Sequence, residues 1–132
     1  MMSDNIPDKI AIKDFRTLSV YQKAMNLSKE VYTVIKQLPD LERFAMVSQM
    51  IRAVTSISAN IAEGQSTLYK KKELTFISTA IGSCGEMRCW YDHCLNLNYI
   101  TQEQFEKLDK DTEEVMKMLI GYIKRLRAEI RS

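Results

Sequence analysis

Glycine and proline are scarce in this sequence, which limits how often the chain can turn. Only 4 glycines and 2 prolines occur among 132 residues. A protein of many short strands needs a turn signal about every ten residues, so this composition favours a few long helices. The chain is long enough to bury a core without disulfides or metals. We predict one domain over residues 14–132, preceded by an N-terminal tail or arm over residues 1–13.

Long apolar runs are also absent. A membrane-spanning helix needs about 18 consecutive apolar residues, and the sequence has no such run. Residues 1–5 are polar and lack the apolar stretch of a secretory signal. The 3 cysteines, an odd number, favour free thiols in a reducing compartment over a disulfide framework. We therefore expect a cytoplasmic protein with no membrane partner.

Histidine is nearly absent, since His93 is the only one. A histidine base thus has one candidate, with no evident nucleophile beside it. Cys84, Cys89 and Cys94 lie about 140° apart around a helix at each step, so they do not converge on one metal ion. No glycine-rich phosphate loop is present. We expect no enzyme, no metal or other cofactor, and no small-molecule substrate.

Apolar residues recur every three or four positions in four segments, which is the period of a helix with one buried face. The predicted helices cover residues 19–36, 41–63, 70–97, and 101 to nearly 131. Short connections between them favour an all-α, up-down-up-down antiparallel four-helix bundle.

The predicted helix ends have specific signals. Pro39 ends the first helix, and Asp40 is placed to cap the second. Gly64 and Asn98 are placed to end the second and third helices in the left-handed conformation. Residues 101–104 read as a capping box that opens the fourth helix.

The predicted second helix carries two stripes at the same spacing. One stripe is apolar and typical of a core face: Val47, Met50, Val54, Ile57 and Ile61. Its neighbour is small or polar: Gln49, Ala53, Ser56, Asn60 and Glu63. A solvated helix does not need this second stripe. It indicates close helix packing with specific hydrogen bonds, or a surface that meets a partner.

The third and fourth predicted helices have wide apolar faces. The inner face predicted for the third helix is Leu74, Ile77, Ile81, Cys84, Tyr91 and Leu95. Further apolar residues lie beside the inner faces and widen the arc past the roughly 100° that a surface helix buries. They either flank the core or form a subunit interface, and we predict a homo-oligomer. The candidate interface residues are Phe76, Met87, Trp90, Met116, Ile120 and Ile123.

Basic residues lie at two helix ends. Lysines at the start of the third helix oppose the helix dipole, so helix stability does not explain them. The fourth helix has six acidic and two basic side chains in residues 101–114, against one acidic and five basic in residues 115–131. This polarity suits the helix dipole, but it also suits phosphate contact. The candidate nucleic-acid contacts are Lys70, Lys71, Lys72, Lys124, Arg125 and Arg127.

Three aromatic residues, Tyr69, Trp90 and Tyr99, are candidates for stacking on bases near these lysines, although aromatics at such places are more often packing residues.

Several blocks of the sequence form a recognisable set: Asp14–Phe15, Leu18–Ala24, Ser48–Gln49, Arg52–Ala53, Ser56–Ile57, Asn60–Gly64, Lys71–Glu73 with Phe76, and Gly82–Ser83 with Glu86. Together they resemble a known family, the four-helix-bundle proteins encoded by intervening sequences within bacterial 23S ribosomal RNA genes. The resemblance covers nearly the whole chain from Asp14 onward. The chain departs from the family at Ser58, where proline is more usual. It also departs in the 65–69 connection, which is richer in glycine and arginine in relatives.

The resemblance implies a ring-forming bundle, typically a pentamer, with no established catalytic residue and a largely unassigned role. A related bundle serves as the accessory variability protein of diversity-generating retroelements, where a basic pentamer engages reverse transcriptase and nucleic acid. We predict a non-enzymatic oligomer that binds structured RNA or DNA through basic helix ends. The alternative is a scaffold for protein partners with no affinity for nucleic acid.

A structural signature is also predicted from the matching residues: Arg52, Ser56, Asn60, Glu63, Gly64 and Glu86. Four of them, Arg52, Asn60, Glu63 and Glu86, are expected to form an interhelical polar network that sets how the bundle packs.

Overall fold

The computed structural model describes residues 11–131. Over this range the chain is helical and has no strand. The four long helices are α1 (Ser19–Ile35), α2 (Met46–Ser66), α3 (Lys70–Asn96) and α4 (Gln102–Arg131). Each helix packs against the next along the chain, and α1 closes the bundle against α4. The predicted all-α four-helix bundle is confirmed. Most of the predicted N-terminal tail, residues 1–10, lies outside the described residues.

The turn between α3 and α4 follows the local sequence signals. Asn98 has a φ of 60°, as predicted for a left-handed helix terminator. At the start of α4 the Gln104 backbone N–H donates to Thr101 Oγ1 at 3.1 Å. The Thr101 backbone N–H donates to Gln104 Oε1 at 2.9 Å. These reciprocal bonds form the predicted capping box and satisfy two donors that the helix leaves unpaired.

The start of α2 differs from the prediction. Asp40–Glu42 forms a short 3-10 turn, and Ala45 departs from helical geometry with φ −118° and ψ −99°. Leu41 is 76% exposed and Phe44 is 89% exposed, so neither side chain anchors a helix to the core. The first buried side chain is that of Met46, where α2 begins. Burial of apolar surface therefore decides the start, five residues later than the sequence pattern indicates.

Gly64 does not end α2 as predicted, because the helix continues to Ser66 and none of the glycines has a positive φ. Gly64 is buried against α3 instead. A Cβ atom added there would lie 3.1 Å from Ile77 Cδ1 and 3.4 Å from Phe76 Cβ. The glycine therefore serves the close approach of two helices.

The buried face of α3 lies between the inner face predicted from the sequence and the stripe of apolar residues beside it, which includes Phe76, Met87 and Trp90. Its core residues are Ile77, Ala80, Cys84, Met87, Tyr91 and Cys94, each 0% exposed. Leu74, Ile81 and Leu95, predicted for the inner face, are only partly buried. Since α3 packs against both α2 and α4, its buried arc takes members of both stripes.

Polar contacts join α4 to its neighbours. The hydroxyls of Tyr91 and Thr112 are 2.8 Å apart inside the α3–α4 contact, and burial raises the pKa of Tyr91. On the surface between α1 and α4, Lys107 Nζ is 2.7 Å from Glu30 Oε1, and Lys23 pairs with Glu114. These contacts join α4 to both of its neighbours, α3 and α1. None of the described helices has the length and apolar character required to cross a membrane.

Candidate nucleic-acid interface

The first turn of α3 and the last turns of α4 lie at the same end of the bundle. The two helices are antiparallel, and Lys70 Nζ is 3.6 Å from Glu129 Oε2. The structure therefore brings together both predicted groups of basic residues. We call this the basic end. Its basic side chains are Lys13, Arg16, Lys70, Lys71, Lys72, Lys124, Arg125, Arg127 and Arg131, and its acidic ones are Asp14, Glu63, Glu73 and Glu129.

The opposite end is acidic. There Tyr99 Oη donates to Glu42 Oε2 at 2.9 Å, which ties the α3–α4 turn to the α1–α2 turn. The acidic side chains at this end are Asp40, Glu42, Asp92, Glu103, Glu106, Asp109 and Asp111. The basic ones are Lys36, Arg43, Arg88, Lys107 and Lys110, of which Arg88 pairs with Asp109 and Lys107 with Asp111. The bundle thus separates charge along its axis, which is the arrangement that orients a protein in the field of a charged partner.

Of the aromatic residues considered for base stacking, only Tyr69 lies beside the lysines. It directly precedes α3, and Lys72 Nζ is 5.7 Å from the centre of its ring. Tyr99 is at the acidic end, and Trp90 lies five turns along α3 with its Nε1 donating to Glu86 Oε2 at 3.1 Å. Stacking near the basic end therefore has one candidate instead of three.

The hydrogen bonds across the α2–α3 contact use different residues from those predicted. Ser56 Oγ and Ser83 Oγ are 2.8 Å apart. Asn60 Nδ2 donates to the Ser56 carbonyl oxygen at 2.8 Å and to Ser56 Oγ at 3.0 Å. Small side chains allow the close approach, because Ala53 is buried on the same face of α2. Ser83 belongs to one of the matching blocks, but its role was missed because the sequence does not show that it faces Ser56 on another helix.

The predicted interhelical network of Arg52, Asn60, Glu63 and Glu86 is therefore wrong, since the two hydrogen bonds of Asn60 go to Ser56 on its own helix. Arg52 and Glu63 are exposed. Among residues 11–131, Arg52 forms no ion pair with either of the two glutamates. The charged members of the signature face solvent along the α2–α3 contact, and the small members make the contact itself.

The predicted subunit-interface residues fall on two separate surfaces. Phe76 lies beside Gly64 at the α2–α3 contact. Met116 lines a recess with Gly85 and Arg88 at the α3–α4 contact. Ile120, on the same helix as Met116, is 42% exposed. Met87 has to be removed from the set, because its side chain is 0% exposed within one chain and leaves no surface for a second copy.

A buried polar group near the basic end was missed entirely. Tyr122 Oη donates to Glu73 Oε2, and Gln65 Nε2 donates to Tyr122 Oη at 2.5 Å. Glu73 is 5% exposed and Tyr122 is 7% exposed. Burial, with the hydrogen bond to Glu73, raises the pKa of Tyr122. The signal was present in the sequence, since Glu73 falls on the buried stripe of α3, four residues before Ile77.

The cysteines do not assemble into a site. Cys84 and Cys94 are buried and Cys89 is exposed, and all three are free thiols. Burial raises the pKa of Cys84 to about 12 and that of Cys94 to about 11. Within the described part of the chain, no group of three or more His, Cys, Asp or Glu side chains is arranged to hold a metal ion.

Comparison with known proteins agrees with the sequence blocks. The family model described as 23S rRNA-intervening sequence protein matches residues 16–121. Among solved structures, the chain is similar to a protein of unknown function from the S23 ribosomal protein family of Bacteroides thetaiotaomicron VPI-5482. The TM-score is 0.74 at 29% identity, over 80% of this chain and 98% of that one. No curated protein matches the sequence. The family match spans most of the chain, and the chain belongs to the family of 23S rRNA-intervening sequence proteins.

Proposed function

We propose that this protein is a non-enzymatic homo-oligomer that binds structured RNA or DNA through its basic end. The observation that carries the proposal is the meeting of two basic segments, far apart in the sequence, at one end of the bundle. Lys70 lies within 3.6 Å of Glu129, so residues 70–72 and 124–127 border one surface. Duplex DNA carries one negative charge per about 1.7 Å of axis, and such a surface can neutralise several phosphates at once.

Helix electrostatics alone does not account for this surface. The arginines near the end of α4 are favoured by the negative end of its dipole. The lysines at the start of α3 are disfavoured, because they lie at the positive end of the α3 dipole. No side chain caps the start of this helix. The position of these lysines therefore has a cost to the helix, which supports a role in binding an anion. The family name associates its members with 23S rRNA, so segments of that RNA are the first ligands to test.

A homo-oligomer fits the apolar surface that remains on one chain. Ile120 is 42% exposed, and Trp90, Met116 and Ile123 are only partly buried. Exposed apolar patches on a folded protein commonly mark association. An assembly that places the basic ends on one face multiplies the phosphate contacts, and the salt dependence of binding steepens accordingly.

A second candidate function is supported by a separate observation. Phe44 and Leu41, which are 89% and 76% exposed, lie together in the α1–α2 turn at the acidic end. This turn is anchored through Glu42 to Tyr99. Two large apolar side chains held in solvent suit a protein partner more than a nucleic acid. A protein-interaction scaffold is therefore the alternative function.

Filter binding with a structured RNA and a duplex DNA, at about 50 and 200 mM salt, tests the leading proposal. The informative variant replaces three exposed cations of the basic end by glutamine: Lys72, Lys124 and Arg127. We expect this variant to bind at least tenfold more weakly at low salt, with a salt slope reduced by about two to three.

The matched control removes three exposed cations that lie away from the basic end: Lys29, Lys36 and Lys110. It carries the same change in net charge and is expected to bind like the wild type. No binding by the wild type at low salt would leave only the scaffold function. Equal losses in both variants would show that net charge, and not the basic end, controls binding. Light scattering after gel filtration tests the oligomer, and a strict monomer contradicts that part of the proposal.

A further inference from the structure

A recess of about 750 Å³ opens at the basic end, between the start of α1 and the second half of α4. These two helices make the least extensive of the four contacts between neighbouring helices. Its volume lies within the range of about 300–1,000 Å³ that is usual for small-molecule sites. Its apolar wall consists of Leu18, Val20, Met118 and Leu126.

Three basic side chains line this recess: Lys13, Lys117 and Arg125. Lys117 Nζ is 3.2 Å from Glu113 Oε1 in an exposed ion pair, so the carboxylate of Glu113 partly neutralises the charge of Lys117. Among residues 11–131, Lys13 and Arg125 take part in no ion pair. The guanidinium of Arg125 lies 6.0 Å from the centre of the Tyr122 ring, at the outer limit of a cation–π contact. The recess therefore has two available cations for an anionic group.

Two acids also line the recess, Glu73 and Glu129, and Lys70 Nζ lies 3.6 Å from Glu129 Oε2. Gln65, Tyr122 and Glu73 line the recess and are joined to one another by hydrogen bonds. The Tyr122 hydroxyl is both a donor and an acceptor, since it donates a hydrogen bond to Glu73 and accepts one from Gln65. The carboxylate of Glu73 disfavours a second anion near it and favours a hydrogen-bond donor. A suitable ligand is thus anionic at one end and donor-bearing at the other, with an apolar or flat body between.

We propose that the recess binds a nucleotide through its phosphomonoester, with the phosphate on Lys13 and Arg125 and an amino group of the base directed to Glu73. The nucleotide is either a free nucleoside monophosphate or the terminal nucleotide of an RNA chain. The second form rests on the proposed nucleic-acid function, and the first does not. The sequence predicts Arg125 as an anion contact but does not predict this site, because the lining residues come from all four helices and the N-terminal arm.

Titration calorimetry of the full chain with AMP and GMP, and with adenosine as the ligand that lacks phosphate, tests the site. We expect saturable binding of a monophosphate and binding of adenosine at least tenfold weaker, since the charge-assisted hydrogen bonds are lost. No heat of binding with either monophosphate at millimolar concentration would overturn the proposal.

A blocking variant identifies the place of binding. Gly121 lines the recess, and a Cβ atom there would meet only Arg125 Nη1, at an ordinary 3.6 Å. Gly121→Leu therefore fills the recess without disturbing the core, and we expect it to abolish monophosphate binding. Gly82→Leu is the control, because Gly82 is exposed on α3 with no atom within 4 Å of its added Cβ. Equal binding by Gly121→Leu and the wild type would overturn the recess as the site.

A pair of arginine variants separates this site from the proposed function. Arg125 lines the recess, whereas Arg127 is exposed two residues further along α4 and does not. We expect Arg125→Gln to weaken monophosphate binding about tenfold or more and Arg127→Gln to leave it unchanged. Both variants are expected to weaken binding of long RNA. Equal monophosphate affinities in the two variants would overturn the nucleotide site and leave the basic end as a nucleic-acid surface.

A further experiment distinguishes a free nucleotide from an RNA terminus as the ligand. It uses one RNA hairpin prepared in three forms: with a 5′-phosphate, with a 3′-phosphate, or with hydroxyls at both ends. A preference for a phosphorylated end that Gly121→Leu removes assigns the site to RNA termini. Equal binding of all three hairpins, together with retained binding of the monophosphate, assigns it to a free nucleotide. If no hairpin binds but the monophosphate does, the proposed function fails and the recess site stands.

Discussion

Arg88 on α3 binds Asp109 on α4 through two hydrogen bonds, 2.8 Å from Nε to Oδ1 and 3.2 Å from Nη2 to Oδ2. Glu113, one turn further along α4, lies 3.7 Å from the same guanidinium. The hydrogen bond to Asp109 raises the pKa of Arg88, as expected when the charged form is stabilised. The pair fixes the register of two helices beside a recess that also contains Met116.

A double-mutant cycle with Arg88→Met and Asp109→Asn measures the interaction free energy between these two side chains. The side chains are 39% and 25% exposed, so solvent screens much of their attraction. We expect a coupling energy of about 1 kcal/mol in urea unfolding, which falls when about 1 M salt is added. A coupling energy of zero within error would mean that the packing of α3 on α4 does not depend on the pair.

Replacement of Gly64 by alanine tests the close approach of α2 and α3. Alanine stabilises an exposed helix by about 1 kcal/mol relative to glycine, but here its Cβ lies 3.1 Å from Ile77 Cδ1 in the core. The matched control is Gly82→Ala, where no atom lies within 4 Å. We expect Gly64→Ala to be less stable than Gly82→Ala by at least about 1 kcal/mol in thermal unfolding. Equal stabilities would show that Gly64 is not required for the contact.

The Gly64 contact also shows what could be predicted from the sequence. The four helices, the capping box at Thr101 and the left-handed Asn98 follow from residues close together in the chain, so local rules identify them. The role of Gly64 depends on Ile77 of another helix, and no local rule contains that information. The left-handed C′ position is the commonest use of a glycine after a helical pattern, and that expectation was wrong here.

The apolar residues of α3 show a second limit of prediction from the sequence: the inner face and the neighbouring apolar stripe could not be ranked by burial. Each stripe has the right period for a core, and the sequence does not say which neighbours a helix will have. Because α3 contacts both α2 and α4, Met87 became core and Leu74 only partly buried. The sequence shows the basic residues as two separate groups, and their meeting at one end follows from the antiparallel packing. The group of Glu73, Tyr122 and Gln65 needed the structure, since those residues come from three helices.

Alkaline pH is expected to destabilise the protein through its buried thiols. Folding raises the pKa of Cys84 to about 12 and that of Cys94 to about 11, from an ordinary 9.0. The two protonated thiols contribute fully to the free energy of unfolding below pH 9. This contribution is lost as the pH rises, because the thiols of the unfolded chain lose their protons at a lower pH than those of the folded chain. At pH 10 the expected loss is about 1 kcal/mol of unfolding free energy per thiol.

Urea unfolding at pH 8 and pH 10, in a reducing buffer, measures this loss. The variant Cys84→Ala should lose less stability between the two pH values than the wild type, whatever its stability at pH 8. Cys89→Ala, which removes the exposed thiol, is the matched control. Equal losses in the wild type and in Cys84→Ala would contradict the assignment.

The same cysteines predict a pattern of chemical labelling. Cys89 is exposed, while Cys84 and Cys94 are 0% exposed within the helical core. We expect iodoacetamide to modify one thiol per native chain, and peptide mass mapping to place it at Cys89. Urea should expose the other two. Rapid native labelling of Cys84 would indicate that α3 opens locally far more readily than its packing suggests.

Tyr122→Phe tests the buried hydrogen bonds near the basic end. The change leaves Glu73 and Gln65 without their shared partner, and a buried polar group without a partner costs about 1–3 kcal/mol. Tyr99→Phe is the control, because its hydroxyl bonds to Glu42 in a partly exposed turn. We expect Tyr122→Phe to lower stability in urea by at least about 1 kcal/mol more than Tyr99→Phe. Equal effects would mean that water replaces the missing hydroxyl at Glu73.

The separation of charge between the two ends makes each bundle a permanent electrical dipole along its long axis. A surface of phosphates turns such a bundle upright, basic end down, before contact is made. Any assembly that gathers the basic ends on one face sets these dipoles parallel, and parallel dipoles side by side repel one another. Added salt screens both effects. We therefore expect the proposed assembly and the proposed phosphate binding to respond to ionic strength in opposite directions, because salt favours the first and weakens the second.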